Sequence, residues 1–415
     1  MVKSIYRYII GRKKFLIYTS LRLITTVIAL LINIFIVRKL SVYGYGTYSL
    51  AIMLVGFATT FGFSWSSSSI LYYGSKEKAE EDSINKTFWS RNILLIISLI
   101  FITLFFIVFN HKINEYVGQS VAFNILIWIY IQVIVDFLNQ YYLTVQKQII
   151  ASIMYLISKT MFLLCIILLP FKSSIDMINL NIITDAIMII FILKINKRDI
   201  SAPIFDKKYF KEILSFSLWQ LFGFTGLFLL NFGDNLVIKY FLDTKSIGVY
   251  NSVYKLFSAL ASMSYLITNF YGAYIIENIK KNDSIKLKNF FYKERFIICG
   301  IALFLHVVII CFCKEIIIVI YGYRYIESVV VLQVLLVGSV IQYFLVFYIP
   351  FCNATKGYIQ LQALHIVQAT INILLDIILI KHLGILGAAI ATVTASGIEG
   401  IILIIIFERK VKELT

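Results

Sequence analysis

The sequence predicts an all-α polytopic membrane protein of about 12 transmembrane helices, arranged as two parallel six-helix lobes around a central cavity. Three observations carry this prediction. The 415-residue chain is 60% hydrophobic and 14% charged, with a mean hydropathy of +0.88, whereas a soluble domain is about a quarter charged. Apolar windows of about 20 residues, the length a span requires, recur along the whole chain. The two halves of the chain also share a motif.

Lys3, Arg7, Arg12, Lys13 and Lys14 precede the first apolar run, Phe15 to Val37. A signal-peptide core is about 7–15 residues long and ends at a small-residue cleavage site. This run is longer and lacks such a site, so it reads as the first span. The others fall near 47–71, 92–110, 120–143, 149–169, 175–193, 212–235, 247–272, 296–313, 328–351, 358–380 and 385–407. The sixth is the most polar, with Asn179, Asn181 and Asp185. Basic residues crowd alternate connections: the N-terminus, the loop with Lys76, Lys78, Lys86 and Arg91, the stretch 194–211 and the stretch 280–295. The intervening loops hold one or two each, such as Arg38 with Lys39, Lys112, or Lys172. The positive-inside rule then puts both termini in the cytoplasm. The same placement explains much of the net charge of +16 and leaves no groove-reading basic element for nucleic acid.

At an offset of 202, Asn33/Asn235, Ile36/Ile238, Leu40/Leu242, Gly46/Gly248 and Tyr48/Tyr250 are identical. Six spans per half is an even number, so both halves enter the membrane from the same side and the repeats are parallel. The expected organisation is an N-terminal lobe over 1–195, a cytoplasmic interfacial linker over 196–211 and a C-terminal lobe over 212–415. Within the linker, Tyr209, Phe210, Ile213 and Leu214 oppose Lys207, Lys208 and Lys211, the pattern of a short helix lying on the inner surface.

Polar residues inside the spans follow helical spacing. Stripes run through Arg22, Thr26 and Asn33; through Gln132, Asp136 and Gln140; through Gln220, Asn231 and Asp234; through Lys255, Ser262 and Asn269; and through His365, Gln368, Asn372 and Asp376. A charge at the bilayer centre costs about 2.5–3.5 kcal/mol on insertion scales, so these stripes are expected to line one water-filled cavity; pairing between helices is the alternative. Arg22, Lys159 and Lys255 are candidate ligands of an anionic substrate. Asp136, Asp234 and Asp376, like Asp185 and Glu399, are either counter-ions for those cations or sites for a coupling H+ or Na+. Thr26, Asn33, Gln220, Asn231, Ser262, Asn269, His365, Gln368 and Asn372 complete the expected polar lining.

No catalytic residue, metal site or cofactor is expected. The chain has neither a phosphate-binding G-x-x-x-x-G-K-[ST] loop nor a G-x-S-x-G elbow. Cys311 and Cys313 lack a second pair at zinc spacing, and His306 and His365 have no further ligand three or four residues on.

The segment Arg38 to Ala51 resembles the stretch after the first helix of Wzx-type polysaccharide flippases, which belong to the multidrug/oligosaccharidyl-lipid/polysaccharide (MOP) exporter superfamily. Phe205 to Leu218 is similar to the start of that family's second lobe, Asp234 to Tyr254 to its repeat of the first motif, and His382 to Thr392 to the small-residue opening of its last helix. Two positions depart from the pattern: Leu218-Trp219-Gln220 stands where a proline is common, and Asn235 follows Asp234 where an arginine is common. The resemblance implies a multi-pass protein of the bacterial cytoplasmic (inner) membrane. Its substrate would be an undecaprenyl-diphosphate-linked oligosaccharide, flipped to the outer leaflet for O-antigen or capsule synthesis, with the polysaccharide polymerase as a candidate partner. A MATE-like drug or cation antiporter and an O-antigen polymerase are the alternatives.

Overall fold

The structure, a computed structural model, describes residues 2–195, 205–355 and 357–414; the side chains of residues 1–16, of Asn269 and of a few others lie outside that description, as do residues 196–204 of the expected linker. The described residues form α1 (Val2–Lys39), α2 (Val42–Glu81, with a π-helical turn at Thr60–Ser64), α3 (Asn85–Val108), α4 (Ala122–Thr144), α5 (Gln148–Leu168) and α6 (Ser174–Ile195). They continue with α7 (Lys207–Phe241), α8 (Thr244–Lys280), α9 (Ser284–Cys311, with a π-helical turn at Phe290–Glu294), α10 (Ser328–Leu345), α11 (Tyr358–Leu383) and α12 (Ile385–Leu414). Short helices Asn110–Val117, Cys313–Tyr321 and Tyr348–Ala354 lie between them. Eleven of the long helices, all but α8, are long and apolar enough to cross a membrane. At about 1.5 Å per residue, the 37 residues of α8 also exceed the length of a span. This is a multi-pass all-α membrane protein.

The chain divides into two compact units, Met1–Thr225 and Gly226–Thr415. In the first, α1 packs on α5, and α4 packs on α2 and α6; Leu138, Tyr142, Ala151, Met154 and Met188 fill its core. In the second, α12 packs on α10 and α11, and α8 packs on α10; Phe290, Phe291, Phe347, Phe351 and Phe407 fill that core. The outer faces are apolar. Ile97, Phe101, Leu104 and Val108 are exposed along one side of α3, and Ile297, Ile301 and Phe304 along one side of α9, a surface suited to lipid.

The amphipathic stretch that the sequence sets apart as a linker is continuous with the seventh span: Lys207 to Phe241 run as a single helix. No Pro or Gly interrupts it before Gly223. Asp206 caps its start by accepting from the Lys208 and Tyr209 amides at 2.9 and 3.1 Å. Aromatic contacts then fasten this end to α2 and α3 rather than leave it lying on the surface. Phe216 stacks on Tyr72, and the Tyr209 hydroxyl meets that of Thr87 at 3.1 Å.

The repeated motif encodes a corner. Ser41 accepts from the Gly44 amide at 3.0 Å and starts α2, and at the matching position Asp243 accepts from the Ser246 amide at 2.7 Å and starts α8. The repeated asparagine then ties the two arms of each corner. Asn33 accepts from the Tyr45 hydroxyl at 2.6 Å, and Asn235 accepts from Asn251 at 2.8 Å.

The α11–α12 hairpin depends on two glycines. Gly384 turns the chain at φ +59°, and a Cβ on Gly387 would meet the Leu379 carbonyl carbon and oxygen at 2.5 Å. Close backbone approach of this kind is how membrane helices pack without a hydrophobic drive.

Asp243→Ala should lower the unfolding free energy by about 0.5–2 kcal/mol, with Asp243→Asn close to wild type, read as thermal midpoints of the purified protein. The Ser246 backbone amide holds the Asp243 carboxyl below the ordinary carboxylate range. The cap therefore contributes fully above that range and is lost as pH falls through the lowered value of the folded state. The gap between wild type and Asp243→Ala should close on acidification.

Candidate functional site

In the first unit the charged residues meet aromatic rings and each other. The Arg22 guanidinium lies 5.5 Å from the Tyr18 ring centre and 5.2 Å from that of Tyr155, in the range of cation–π attraction. Asp136 accepts from Gln132 at 3.0 Å, and Asp185 accepts from the Ser158 hydroxyl. Arg91, counted from sequence among the loop cations, is completely buried in α3 and donates to the Ser67 hydroxyl at 2.8 Å. Asp136 lies within its electrostatic reach. Arg91, and none of the three expected cations, is the cation near Asp136, at a range longer than an ion pair. Lys159 is half-buried, with its ammonium 5.9 Å from the Phe162 ring centre. Thr26 turns back to the Arg22 carbonyl at 3.0 Å, and Gln220 is half-buried.

The second unit gathers the acids. Asp234, on α7, is 5% exposed and accepts from three helices: the Tyr250 hydroxyl of α8, the Asn372 amide of α11 at 2.9 Å and the Thr392 hydroxyl of α12 at 3.1 Å. The same Asn372 amide nitrogen donates to Asp376 at 2.8 Å. The other carboxyl oxygen of Asp376 is buried without a hydrogen-bond partner. Two carboxyl groups thus share one amide, and neither has a cation partner among the described residues. Gly233 makes room for this contact, since a Cβ there would strike Ile373 of α11 at 2.4 Å.

Magnitudes separate the two acids. Each hydrogen bond within a membrane is worth about 0.6 kcal/mol on average, and roughly twice that to a charged group. Three such bonds offset most of the roughly 2.5–3.5 kcal/mol cost of an embedded acid at Asp234. Asp376 has one shared donor and the Asp234 carboxyl beside it; two carboxyls that share a site hold one proton between them, which a cation can replace. No group of three or more His, Cys, Asp or Glu side chains is arranged to hold a metal ion among the described residues. The available donors are two carboxyls, an amide and hydroxyls, which suit a proton or a hard monovalent cation.

Asn372 and Thr392 also line a cavity of about 320 Å³ inside the second unit. Asn231, Ser262, His365 and Gln368, all expected on the polar lining, share this wall. Lys255 does not line it. Its side chain is half-buried, with no hydrogen-bond or ion-pair partner among the described residues. Asn33 is engaged in its corner by Tyr45, and the Asn269 side chain lies outside the described residues. His306 is satisfied within the packing, between the Ala302 carbonyl at 2.7 Å and the Ser339 hydroxyl at 2.8 Å.

Several partners went unread in the sequence. Thr392 and Ser396 lie on α12 in one stripe with Glu399, which the sequence did single out, but Ala and Ile neighbours mask the stripe. Tyr250 was visible only as a repeat identity, and Arg295, buried on α9 among Phe291, Phe296 and Tyr348, reads as a loop cation.

Cysteines introduced at Asn231 and Gln368, with the five native cysteines replaced, should react with a membrane-permeant, water-phase thiol reagent. A cysteine at fully buried Ile238 should not.

The fold has solved counterparts. The lipid II flippase MurJ, in an inward closed conformation, matches with a TM-score of 0.79 at 18% identity, over 95% of this chain and 87% of that one. An inward-facing multidrug resistance MATE family transporter of the MOP superfamily matches with a TM-score of 0.68 at 15% identity, over 94% and 95%. A MOP superfamily transporter from Pyrococcus furiosus matches with a TM-score of 0.61 at 15% identity, over 96% and 94%. At such identities the likeness concerns the fold. No curated protein matches the sequence significantly. The family model for polysaccharide biosynthesis proteins, however, matches residues 12–270, more than half of the chain. With its helices arranged in the MOP transporter fold, the chain belongs to the polysaccharide biosynthesis protein family.

Proposed function

We propose that this protein is a flippase that turns an undecaprenyl-diphosphate-linked oligosaccharide repeat unit from the cytoplasmic to the outer leaflet of the bacterial inner membrane, feeding the polymerase that builds O-antigen or capsule. Both termini lie in the cytoplasm. Transport by alternating access exposes the head group to one side of the membrane at a time while its lipid tail stays in the bilayer.

The observation that carries this reading is the unpaired charge of both signs within the second unit. Lys255 has no anion partner and the Asp234–Asp376 pair no cation partner among the described residues. An embedded charge without a partner is a functional site by default. Lys255 asks for an anion, and a diphosphate supplies one; Arg22, on its aromatic faces, is the second candidate ligand and Lys159 the third. The acid pair asks for a coupling cation, H+ or Na+. Polar groups at Asn231, Ser262 and Gln368 suit sugar hydroxyls. The fold likeness to a lipid II flippase supports a lipid-linked substrate. A drug or cation antiporter would account for the acids but would give Lys255 no task.

The test is the sidedness of lipid-linked repeat units in cells with and without the gene. Complete single units should accumulate on the cytoplasmic leaflet when it is deleted. Single units that reach the outer leaflet unpolymerised would identify a polymerase instead, and unchanged pools would point to the antiporter. In the same assay Lys255→Ala and Arg22→Ala should cut export about tenfold or more, the loss of roughly one charge-assisted contact, with the protein still inserted. Asp234→Asn should abolish dependence on the coupling gradient.

A further inference from the structure

Glu399 and His365 have no part in the reading above, yet they stand on the same wall as Asn372 and Thr392, two of the donors to the acid pair. His365 of α11 and Glu399 of α12 meet, Nδ1 to Oε1 at 2.8 Å, a hydrogen bond from the imidazole N–H to the carboxylate, with the Glu399 side chain 10% exposed. One turn further along the antiparallel helices, Gln368 donates to the Ser396 hydroxyl at 3.0 Å. One turn further again are Asn372 and Thr392, both of which donate to Asp234. These six residues therefore make three rungs of polar side chains between α11 and α12, and all six line the same cavity. From His365 to Asn372 the seam is about 10 Å long, at about 1.5 Å per residue. One turn beyond its far end stands Asp376, which accepts from the Asn372 amide.

The α8 side of that wall is also polar, with Ser258, Ser262 and Tyr265 at helical spacing, but Glu399 on the seam is the one carboxylate among the described lining residues. Phe257, Ala261, Leu345, Leu361 and Leu403 cover much of the remainder. A cation crossing the cavity therefore meets an anion only on the seam, where each rung also supplies an amide or hydroxyl oxygen. Irregular or polar surface at membrane depth is tolerated where it lines such a cavity. The Glu399 carboxylate is the first strong anion on the path, and His365 keeps it from standing alone while the path is empty.

We propose that this cavity is the route by which the coupling cation reaches and leaves the Asp234–Asp376 pair, with Glu399, held by His365, as a station on the way. The inference rests on the acid pair being the coupling site. Glu399 then sets the rate of loading, whereas the acid pair sets the affinity.

That division is measurable with the full-length protein. In the equilibrium experiment, Na+ or H+ is titrated and the thermal midpoint read. In the kinetic one, cation exchange across liposomes is timed under a Na+ or a pH gradient. The gradient whose effect Asp234→Asn removes is the probe. With that cation, Glu399→Gln, which can still accept from His365, should keep the equilibrium midpoint within about twofold of wild type and slow exchange about tenfold or more. His365→Gln should also slow exchange without moving the midpoint. Exchange at the wild-type rate in Glu399→Gln, or loss of the equilibrium response there, would overturn the route while leaving the acid pair in place. Wild-type behaviour of Asp234→Asn in both experiments would overturn the coupling site and the route together.

Discussion

A carboxyl group inside a bilayer must find its hydrogen bonds in the protein, and much of the second unit is arranged around that requirement at Asp234. Its three donors come from α8, α11 and α12 while the acid itself stands on α7. Four helices are thereby tied at one point. Each has to be placed for its donor to reach. Asp243 fixes the corner that brings Tyr250 back beside Asp234, Gly233 lets α11 come close, and Gly384 and Gly387 fold α12 onto α11 so that Thr392 faces Asn372. The bonds are worth about 1 kcal/mol each in a membrane. Their value lies in direction more than in total energy, since lipid offers no alternative partner and misplacement of one helix leaves an acid bare.

The first unit shows what the same plan does without that acid. Ile32 occupies the position matching Asp234, and it is buried among apolar neighbours. The matching tyrosine, Tyr48, accepts instead from Asn181 at 2.7 Å. Asp185 takes its bond from Ser158, and Asp136 has Gln132 and the nearby Arg91. In the first unit each acid therefore has a polar partner, while Arg22 and Lys159 lie against aromatic rings. In the second, Lys255 and the Asp234–Asp376 pair have no ion-pair partners among the described residues. The two corners are similar but differ at residues 32 and 234, where only the second carries an acid.

Much of this was legible in the sequence because the bilayer imposes simple rules. Length and apolarity of the windows marked the helices, the repeat marked the corners, and helical spacing pointed to Asn231, His365, Gln368 and Asn372, which share one cavity wall. What the sequence could not give was pairing between helices. Asn33 looks as suited to a cavity as Asn231, yet it bonds Tyr45 within its own corner. Arg91 reads as a loop cation because it lies at the end of an apolar run, while the start of α3 at Asn85 carries it into the packing. The linker helix was lost for a similar reason. An amphipathic face says that one side is apolar but not whether lipid or α2 will cover it, and here Tyr72 and Tyr73 do so.

The use of two acids rather than one follows from the same accounting. Asp234 alone, with three donors, would be close to balanced and would gain little from a cation. Asp376 adds a second carboxyl beside the first, and the two hold one proton between them because both cannot ionise at short range where water is excluded. A monovalent cation can take the place of that proton, while the Tyr250 and Thr392 bonds stay with Asp234. The bound charge would then hold α7, α11 and α12 together more firmly than the empty pair does. An ion that changes the cohesion of the helices around it has differential affinity for arrangements in which they are close or apart, and only such a difference lets a ligand shift a conformational equilibrium. On the proposed reading this is the physical link between ion gradient and export: the acid pair is stable enough to fold when empty and unbalanced enough that filling it favours one arrangement of the second unit.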